Sequence, residues 1–290
     1  MASGQNQIKS PAQIKKIMER YGLKFHKSLG QNFLFDEHYL NKIVESGQIT
    51  KEDTVLEIGP GLGVLTTRLA EKAKKVIAVE IDRNLIPILE DVTKDYGNVT
   101  VINQDILKTD INSLLQHETS VKIIANLPYY ITTPILMKLL EEKQKVDCIV
   151  VMIQKEVAQR IVASPGTKDY GALTLTINYY SNPNILFLVP PGAFIPAPKV
   201  DSAVIRLDIL EHPPVSVRDE TMLFRLIKAA FGQRRKTYAN ALSSYFPKLG
   251  KTAIKTALAE CRFPENCRGE TLSLADFAIL SEKFCKLEGN

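Results

Sequence analysis

At 290 residues, 45% of them hydrophobic and 24% charged, the chain has the size and composition of a soluble globular protein with one full domain and a smaller second one. A formal net charge of +5 permits an acidic partner such as nucleic acid without requiring one. No apolar run reaches membrane-spanning length, the polar start lacks the apolar segment of a signal peptide, and the four cysteines form no Cys-x-x-Cys pair; reduced structural thiols and a cytoplasmic location are expected, with no membrane partner, disulfide or metal.

The first ten residues are polar and are expected to be mobile. Ile14, Ile17 and Met18 mark a helix that ends by Gly22. Residues 25–34 then mix His, Lys, Gln and Asn with aromatic rings more densely than a plain linker does. Two readings stand: a surface turn anchored by Phe33 and Leu34, or a lid over a ligand. Asp36 is placed to cap a helix with the apolar stripe Leu40, Ile43 and Val44.

The stretch Thr54-Val55-Leu56-Glu57-Ile58-Gly59-Pro60-Gly61-Leu62-Gly63-Val64 reads as strand, tight loop and helix. A dinucleotide fingerprint would have its third glycine at Val64, and the Gly-Lys-Ser/Thr ending of a phosphate-gripping loop is missing, so both phosphate readings weaken. A second strand, Val76-Ile77-Ala78-Val79, ends in Glu80 about twenty residues past the first glycine, where a carboxylate can accept both hydroxyls of a ribose. Glu57 adds negative charge suited to a cationic ligand group. A nucleoside that carries positive charge and no phosphate, S-adenosylmethionine, fits these conditions. The alternative is a tight structural turn.

A third strand, residues 99–102, leads to Gln104-Asp105-Ile106. Asp105 either accepts a hydrogen bond from an adenine amino group, with Ile106 packed on the ring, or caps the following turn. A fourth strand, residues 121–125, runs into Asn126-Leu127-Pro128-Tyr129-Tyr130. Proline holds this turn stiff and biases the residue before it toward extended geometry, so the Asn126 side chain and nearby carbonyls can act together as acceptors. An aryl amine is a weak nucleophile because its lone pair is delocalised into the ring. Acceptors that grip its hydrogens favour attack on a methyl group without a strong base. Tyr129 offers a ring on which the base can stack, and the alternative is a proline turn with Tyr129 as packing.

A helix carrying Ile135, Leu136 and Leu139 and a fifth strand, residues 148–153, continue the alternation. Residues 172–180 alternate like a strand yet have the length of a helix, and local pattern does not decide between them. Residues 185–189 and 203–209 read as a final hairpin. Between them, Pro190, Pro191, Pro196 and Pro198 stiffen a loop that presents Phe194 either as a rigid aromatic opposite Tyr129 or as ordinary core. His212-Pro213-Pro214 is a candidate boundary, beyond which short helical patterns suggest a small bundle. Arg234, Arg235 and Lys236 form a basic run within it, either a solvated face or a phosphate contact.

Together, Gly30-Gln31-Asn32-Phe33-Leu34, Glu57-Ile58-Gly59-Pro60-Gly61-Leu62-Gly63, Glu80-Ile81-Asp82, Asn126-Leu127-Pro128-Tyr129 and Phe194-Ile195-Pro196-Ala197-Pro198-Lys199-Val200-Asp201-Ser202 closely resemble the ribosomal RNA adenine dimethyltransferases, most nearly the bacterial small-subunit enzymes. The resemblance spans almost the whole chain, with the motifs in order. It implies an α/β, Rossmann-like, class I S-adenosylmethionine-dependent methyltransferase domain over residues 1–210, including an N-terminal cofactor lid, and a small helical domain over residues 211–290 that contacts RNA or the ribosome. It also implies dimethylation of two adjacent adenosines in a hairpin loop near the end of small-subunit ribosomal RNA, within an assembling small ribosomal subunit.

The resemblance further implies that Gln31, Asn32 and Leu34 wall the methionine end of the cofactor, Gly59 and Gly61 cradle it, Glu80 and Ile81 meet its ribose region, and Asp105 and Ile106 meet its adenine. Asn126 contacts both cofactor and target amine, Leu127 and Pro128 shape the transfer site, Tyr129 and Phe194 hold a flipped adenine, and Arg234, Arg235 and Lys236 hold RNA phosphates. Residues 172–180 are then helical. Gln104 departs from the glycine common in the family. Two other functions share this fold: large-subunit adenine methylation of the macrolide-resistance type, and a largely non-catalytic role in ribosome assembly or transcription. Oligomeric state is not legible.

Overall fold

The computed structural model describes residues 10–23, 30–142, 146–233, 236–264 and 266–289. In chain order the elements are α1 (Pro11–Arg20), β1 (Phe33–Leu34), α2 (Glu37–Ser46), β2 (Thr54–Ile58), α3 (Val64–Lys72), β3 (Lys75–Glu80), α4 (Ile86–Thr93), β4 (Val99–Asn103), α5 (Ile111–Leu115), β5 (Val121–Asn126), α6 (Thr132–Glu141), β6 (Cys148–Gln154), α7 (Lys155–Ile161), α8 (Ala172–Tyr180), β7 (Ser181–Val189), β8 (Phe194–Ile195) and β9 (Ser202–Ile209). Then come α9 (Glu220–Gly232), α10 (Tyr238–Tyr245), α11 (Lys251–Glu260) and α12 (Leu274–Glu288). The chain forms two compact units: residues 1–158 with 183–209, and residues 159–182 with 210–290. The sequence places a single boundary at 210 and gives no sign of the excursion of residues 159–182.

The first unit is built on a seven-stranded sheet in the order β4-β3-β2-β5-β6-β9-β7. The first five of these run parallel, and β9 pairs antiparallel with β6, Val151 opposite Ile205. Every residue of β2 is buried, as are all but the last of β6, which is why these strands read as continuous apolar runs. After β2 the chain winds outward through β3 and β4, then returns to lay β5 and β6 on the other side. The carboxyl ends of β2 and β5 therefore flank the point where strand order reverses, the place where open α/β sheets hold ligands. A two-stranded pairing, Phe33 opposite Ile195 and Leu34 opposite Phe194, lies outside this sheet.

At the opposite end of β2 a polar knot closes the first unit. Asp53 accepts hydrogen bonds from Thr50 N (2.6 Å) and Oγ1 (2.9 Å), Ser120 Oγ (2.7 Å) and Lys122 Nζ (2.8 Å). Burial alone would raise its carboxyl, but Lys122, Ser120 and Thr50 outweigh that and hold it at about 2.

The second unit packs α8 to α12 around Leu175, Leu223, Leu226, Tyr238, Phe277 and Phe284. The Tyr170 hydroxyl donates to Leu272 O at 2.8 Å. Asp219 caps α9, and Ser273 with Asp276 forms a capping box at α12. Residues 172–180 are helical, and Leu173 to Ile177 and Tyr179 are all buried. A helix buried on nearly every side shows no amphipathic stripe, and the interleaved threonines imitate strand alternation. All four cysteines are free, no helix among the described residues is long and apolar enough to cross a membrane, and no cluster of metal-ligating side chains occurs among them.

Candidate active site

A cavity opens at the reversal point, walled by residues 30–34, 57–62, 79–81, 104–106 and 126–131. Gln31, Asn32, Leu34, Gly59, Gly61, Glu80, Ile81, Asp105, Ile106 and Asn126 all lie on its wall, as do Leu127, Pro128 and Tyr129. Residues 25–29, the first half of the proposed lid, lie outside the described residues, as do residues 1–9 and Arg234 and Arg235 of the basic run. Lys236 is described and exposed.

The glycine loop crosses the end of β2 with Gly61 at φ +60°, where a Cβ would stand 2.9 Å from Phe33 Cε1. Only glycine admits both that angle and that approach. Glu80 holds the loop in place: its Oε2 accepts from Gly61 N at 3.0 Å and its Oε1 from Asp82 N at 2.8 Å. Burial raises the Glu80 carboxyl above its usual range. Each oxygen keeps a further lone pair with which to accept a ribose hydroxyl.

Glu57 is 1% exposed, and its Oε2 has no hydrogen-bond partner among the described residues. Burial pushes its carboxyl up to about 8; the nearby Thr66 hydroxyl opposes the rise and the Glu80 charge adds to it. The sequence suggests a negative charge here. Burial instead favours the protonated form of Glu57 at neutral pH, and a cationic group beside it would draw the proton off.

Asn126 ends β5. Its Nδ2 donates to Asn32 O at 3.1 Å, and Asn32 Nδ2 donates to Gly30 O at 3.1 Å. The Asn126 amide is thereby turned so that Oδ1, which accepts no hydrogen bond among the described residues, is left as an acceptor. Pro128 then starts a tight turn, Tyr129–Ile131. The hydroxyls of Tyr129 and Ser202 share a 2.6 Å hydrogen bond, and Ser202 is fully buried. Gln31 Nε2 donates to Asp82 Oδ2 at 2.9 Å, tying the N-terminal segment to the end of β3. Neither Ser202 nor Asp82 stood out as a site residue in the sequence, since each contact joins residues far apart in the chain.

Two expected residues behave differently from the rest. Asp105 Oδ1 accepts from Leu107 N at 3.0 Å, so it caps the turn while also lying on the cavity wall. The turn-capping reading is thus met, and the position on the wall leaves Asp105 within reach of a ligand. Phe194 is not on the wall: it sits on β8, 4% exposed, in the core cluster and opposite Leu34. Of its two sequence readings, this placement is that of core.

The cavity suits a sulfonium nucleoside on its own features: a tight glycine turn at Gly61, a carboxyl at Glu80 with acceptor capacity to spare, a buried carboxyl oxygen at Glu57 with no partner among the described residues, and apolar walls at Leu34 and Ile106. With the doubly wound sheet these define a class I S-adenosylmethionine-dependent methyltransferase. Residues 22–278 match the family model for ribosomal RNA adenine dimethylase, and the chain belongs to that family. It is accordingly an rRNA adenine dimethyltransferase that uses S-adenosylmethionine.

The chain is 52% identical over 284 residues to the ribosomal RNA small subunit methyltransferase A of Alkaliphilus oremlandii (strain OhILAs), covering 97% of this chain and 99% of that one. It is 53% identical over 281 residues to the protein of the same name in Alkaliphilus metalliredigens (strain QYMF), covering 96% and 98%. A dimethyladenosine transferase from Plasmodium falciparum has a similar structure, with a TM-score of 0.73 and 28% identity over 88% of this chain and 98% of that one.

Proposed function

We propose that the protein dimethylates the exocyclic amines of two adjacent adenosines in a hairpin loop near the end of small-subunit ribosomal RNA, acting on the assembling small subunit in the cytoplasm. The observation that carries the reading is the Asn126 amide, pinned through Nδ2 to Asn32 O so that Oδ1 remains the acceptor beside Tyr129. The relatives named as small-subunit enzymes match over nearly their full length and support the choice of subunit.

Bound in this cavity, the cofactor supplies an electrophilic sulfonium methyl. Gly59 and Gly61 would hold it through backbone, Glu80 through its ribose, Asp105 and Ile106 at its adenine, and Gln31, Asn32 and Leu34 along its other end, with Ile81 beside the ribose. Asn126 Oδ1 accepts an N–H of the target amine and draws its lone pair out of conjugation, and the same acceptor stabilises the positive charge that grows on nitrogen. A cationic amine loses its proton readily, so no strong base is needed. Leu127 and Pro128 fix the approach, and Tyr129 stacks the extruded base, whose extrusion is cheapest where stacking is already weak. Phe194, paired with Leu34, supports the wall through that strand pairing. Arg234, Arg235 and Lys236 are assigned to RNA phosphates.

The test is methyl incorporation from labelled S-adenosylmethionine into purified, under-methylated small and large subunits, with Asn126→Ala as control. Dimethyladenosine in the small subunit, lost in the variant, is expected. Labelling of the large subunit instead would transfer the assignment to the resistance-type enzymes, and labelling of neither would favour a non-catalytic assembly role.

A further inference from the structure

Tyr129 and Tyr130 are neighbours in one turn with opposite fates. Side chains in a tight three-residue turn project about 120° apart, so one residue can face inward while the next faces out. Tyr129 turns inward to Ser202. Tyr130 lies at the cavity mouth, 57% exposed, the most exposed large hydrophobic side chain among the described residues. Its hydroxyl and ring make no hydrogen bond or aromatic contact among the described residues, unlike Tyr21, Tyr39, Tyr170, Tyr179 and Tyr238. One ring edge rests against Gly30, where a Cβ would come within 3.3 Å of Tyr130 Cδ1. Glycine at that position seats the ring, and the rest of the ring remains open to solvent.

An aromatic ring held against backbone at the rim of a cavity is where the next nucleotide of a single strand would pass. A base drawn into the cavity leaves its neighbour without a stacking partner, and every nucleobase has a face that stacks on tyrosine. We propose that Tyr130 is an exterior stacking platform for the nucleobase adjoining the target adenine. Asn126 and Tyr129 then take the target while Tyr130 takes its neighbour. With two adjacent targets, one adenosine occupies the platform while the other is in the cavity, so the two methylations differ in their need for Tyr130. This rests on the reading that the cavity accepts an adenine at Asn126.

The experiment is steady-state methylation of under-methylated small subunits by the wild type, Tyr130→Ala and Tyr130→Phe, with the methylation state of each target adenosine resolved by mass spectrometry and cofactor affinity measured by calorimetry. Tyr130→Ala is expected to raise KM for the subunit roughly ten-fold, the order of one base stack. It should also let subunits with a single dimethylated adenosine accumulate, while leaving cofactor affinity within about two-fold, well under the tenfold step that marks a lost contact. Tyr130→Phe, which keeps the ring, is expected to restore both KM and product pattern. A Tyr130→Ala enzyme with wild-type KM and products would overturn the platform, as would a Tyr130→Phe enzyme as impaired as the alanine variant. A fall in cofactor affinity matching the rise in KM would reassign Tyr130 to support of the Gly30 segment. A wild-type enzyme that methylates no adenosine in the small subunit would instead remove the underlying reading.

Discussion

The hydroxyls of Tyr129 and Ser202 lie 2.6 Å apart, although the residues are 73 positions apart in sequence. Burial raises the Tyr129 phenol above its usual range, with the Ser202 hydrogen bond opposing the rise, so the phenol stays protonated throughout the physiological range. Ser202, at the start of β9 with no exposed surface, fixes the tilt of the ring that faces the cavity.

Tyr129→Phe leaves the buried Ser202 hydroxyl without its partner, and Ser202→Ala leaves the half-buried Tyr129 hydroxyl without its own. Ser202→Ala and Tyr129→Phe should each destabilise the protein by about 1–2 kcal/mol in urea unfolding, and the double variant by less than the sum. Tyr129→Phe keeps the ring and most of the activity, whereas Tyr129→Ala is expected to lose at least roughly a hundred-fold in kcat/KM, a loss of about 2.7 kcal/mol in transition-state stabilisation. Additive single and double variants would mean that the two hydroxyls do not act on one another.

Asn126→Asp is expected to be as damaging as Asn126→Ala. A carboxylate keeps the acceptor but loses the N–H that anchors it to Asn32 O, and it sets negative charge against that carbonyl. Both variants should slow single-turnover methylation by roughly 10²–10³-fold, the scale seen when a group aimed at developing charge is removed. An active aspartate variant would show that the anchor to Asn32 is dispensable.

Glu57 makes the stability of the first unit depend on pH. Its folded-state pKa of about 8 lies above the ordinary 4.5, so the folded protein holds this proton more tightly than the unfolded chain does. The resulting stabilisation is full below 4.5 and is lost as pH rises through about 8. Glu80, also raised by burial, contributes with the same sign. Relative to Glu57→Gln, which carries no titrating group, the wild-type Tm should fall between pH 5 and pH 9, the region spanned by that shift. Parallel curves for the two proteins would show that Glu57 does not hold its proton.

Asp53 and Lys122 give the opposite slope at the other end of the sheet. The folded-state pKa of Asp53, about 2, lies below the ordinary 3.8, so its contribution is full above 3.8 and is lost as pH falls through 2. Both side chains are largely buried, 5% and 13% exposed. Asp53→Ala strands the Lys122 charge and is expected to cost about 3 kcal/mol at pH 7. Cofactor affinity, measured well below Tm, should not change, because the knot lies at the end of β2 away from the cavity.

Features set by local backbone chemistry were legible in the sequence. The glycines after β2, the carboxylate that ends β3 and the proline after Asn126 each act within a few residues of themselves, and all reach the same cavity. Features set by distant partners were not. Phe194 reads equally as clamp or core until its pairing opposite Leu34 is known. The protonation of Glu57 depends on burial by several elements, and the role of Ser202 on the position of Tyr129. The helix at Ala172–Tyr180 was obscured by its own burial, which erased the stripe that would have revealed it.

The pairing of Leu34 with Phe194 also bears on how the protein is made. Leu34 is among the first residues of the cavity wall to leave the ribosome, and its partner strand is translated 160 residues later. Synthesis at about 5–20 residues per second puts roughly ten to thirty seconds between the two. During that interval the glycine loop and the Asn126 turn can form, but Phe33 and Leu34, which line the same cavity, have no strand to pair with. A nascent chain stalled before Phe194 should therefore hold S-adenosylmethionine poorly, and competence for the cofactor should arrive late in translation, when the rest of the pocket already exists.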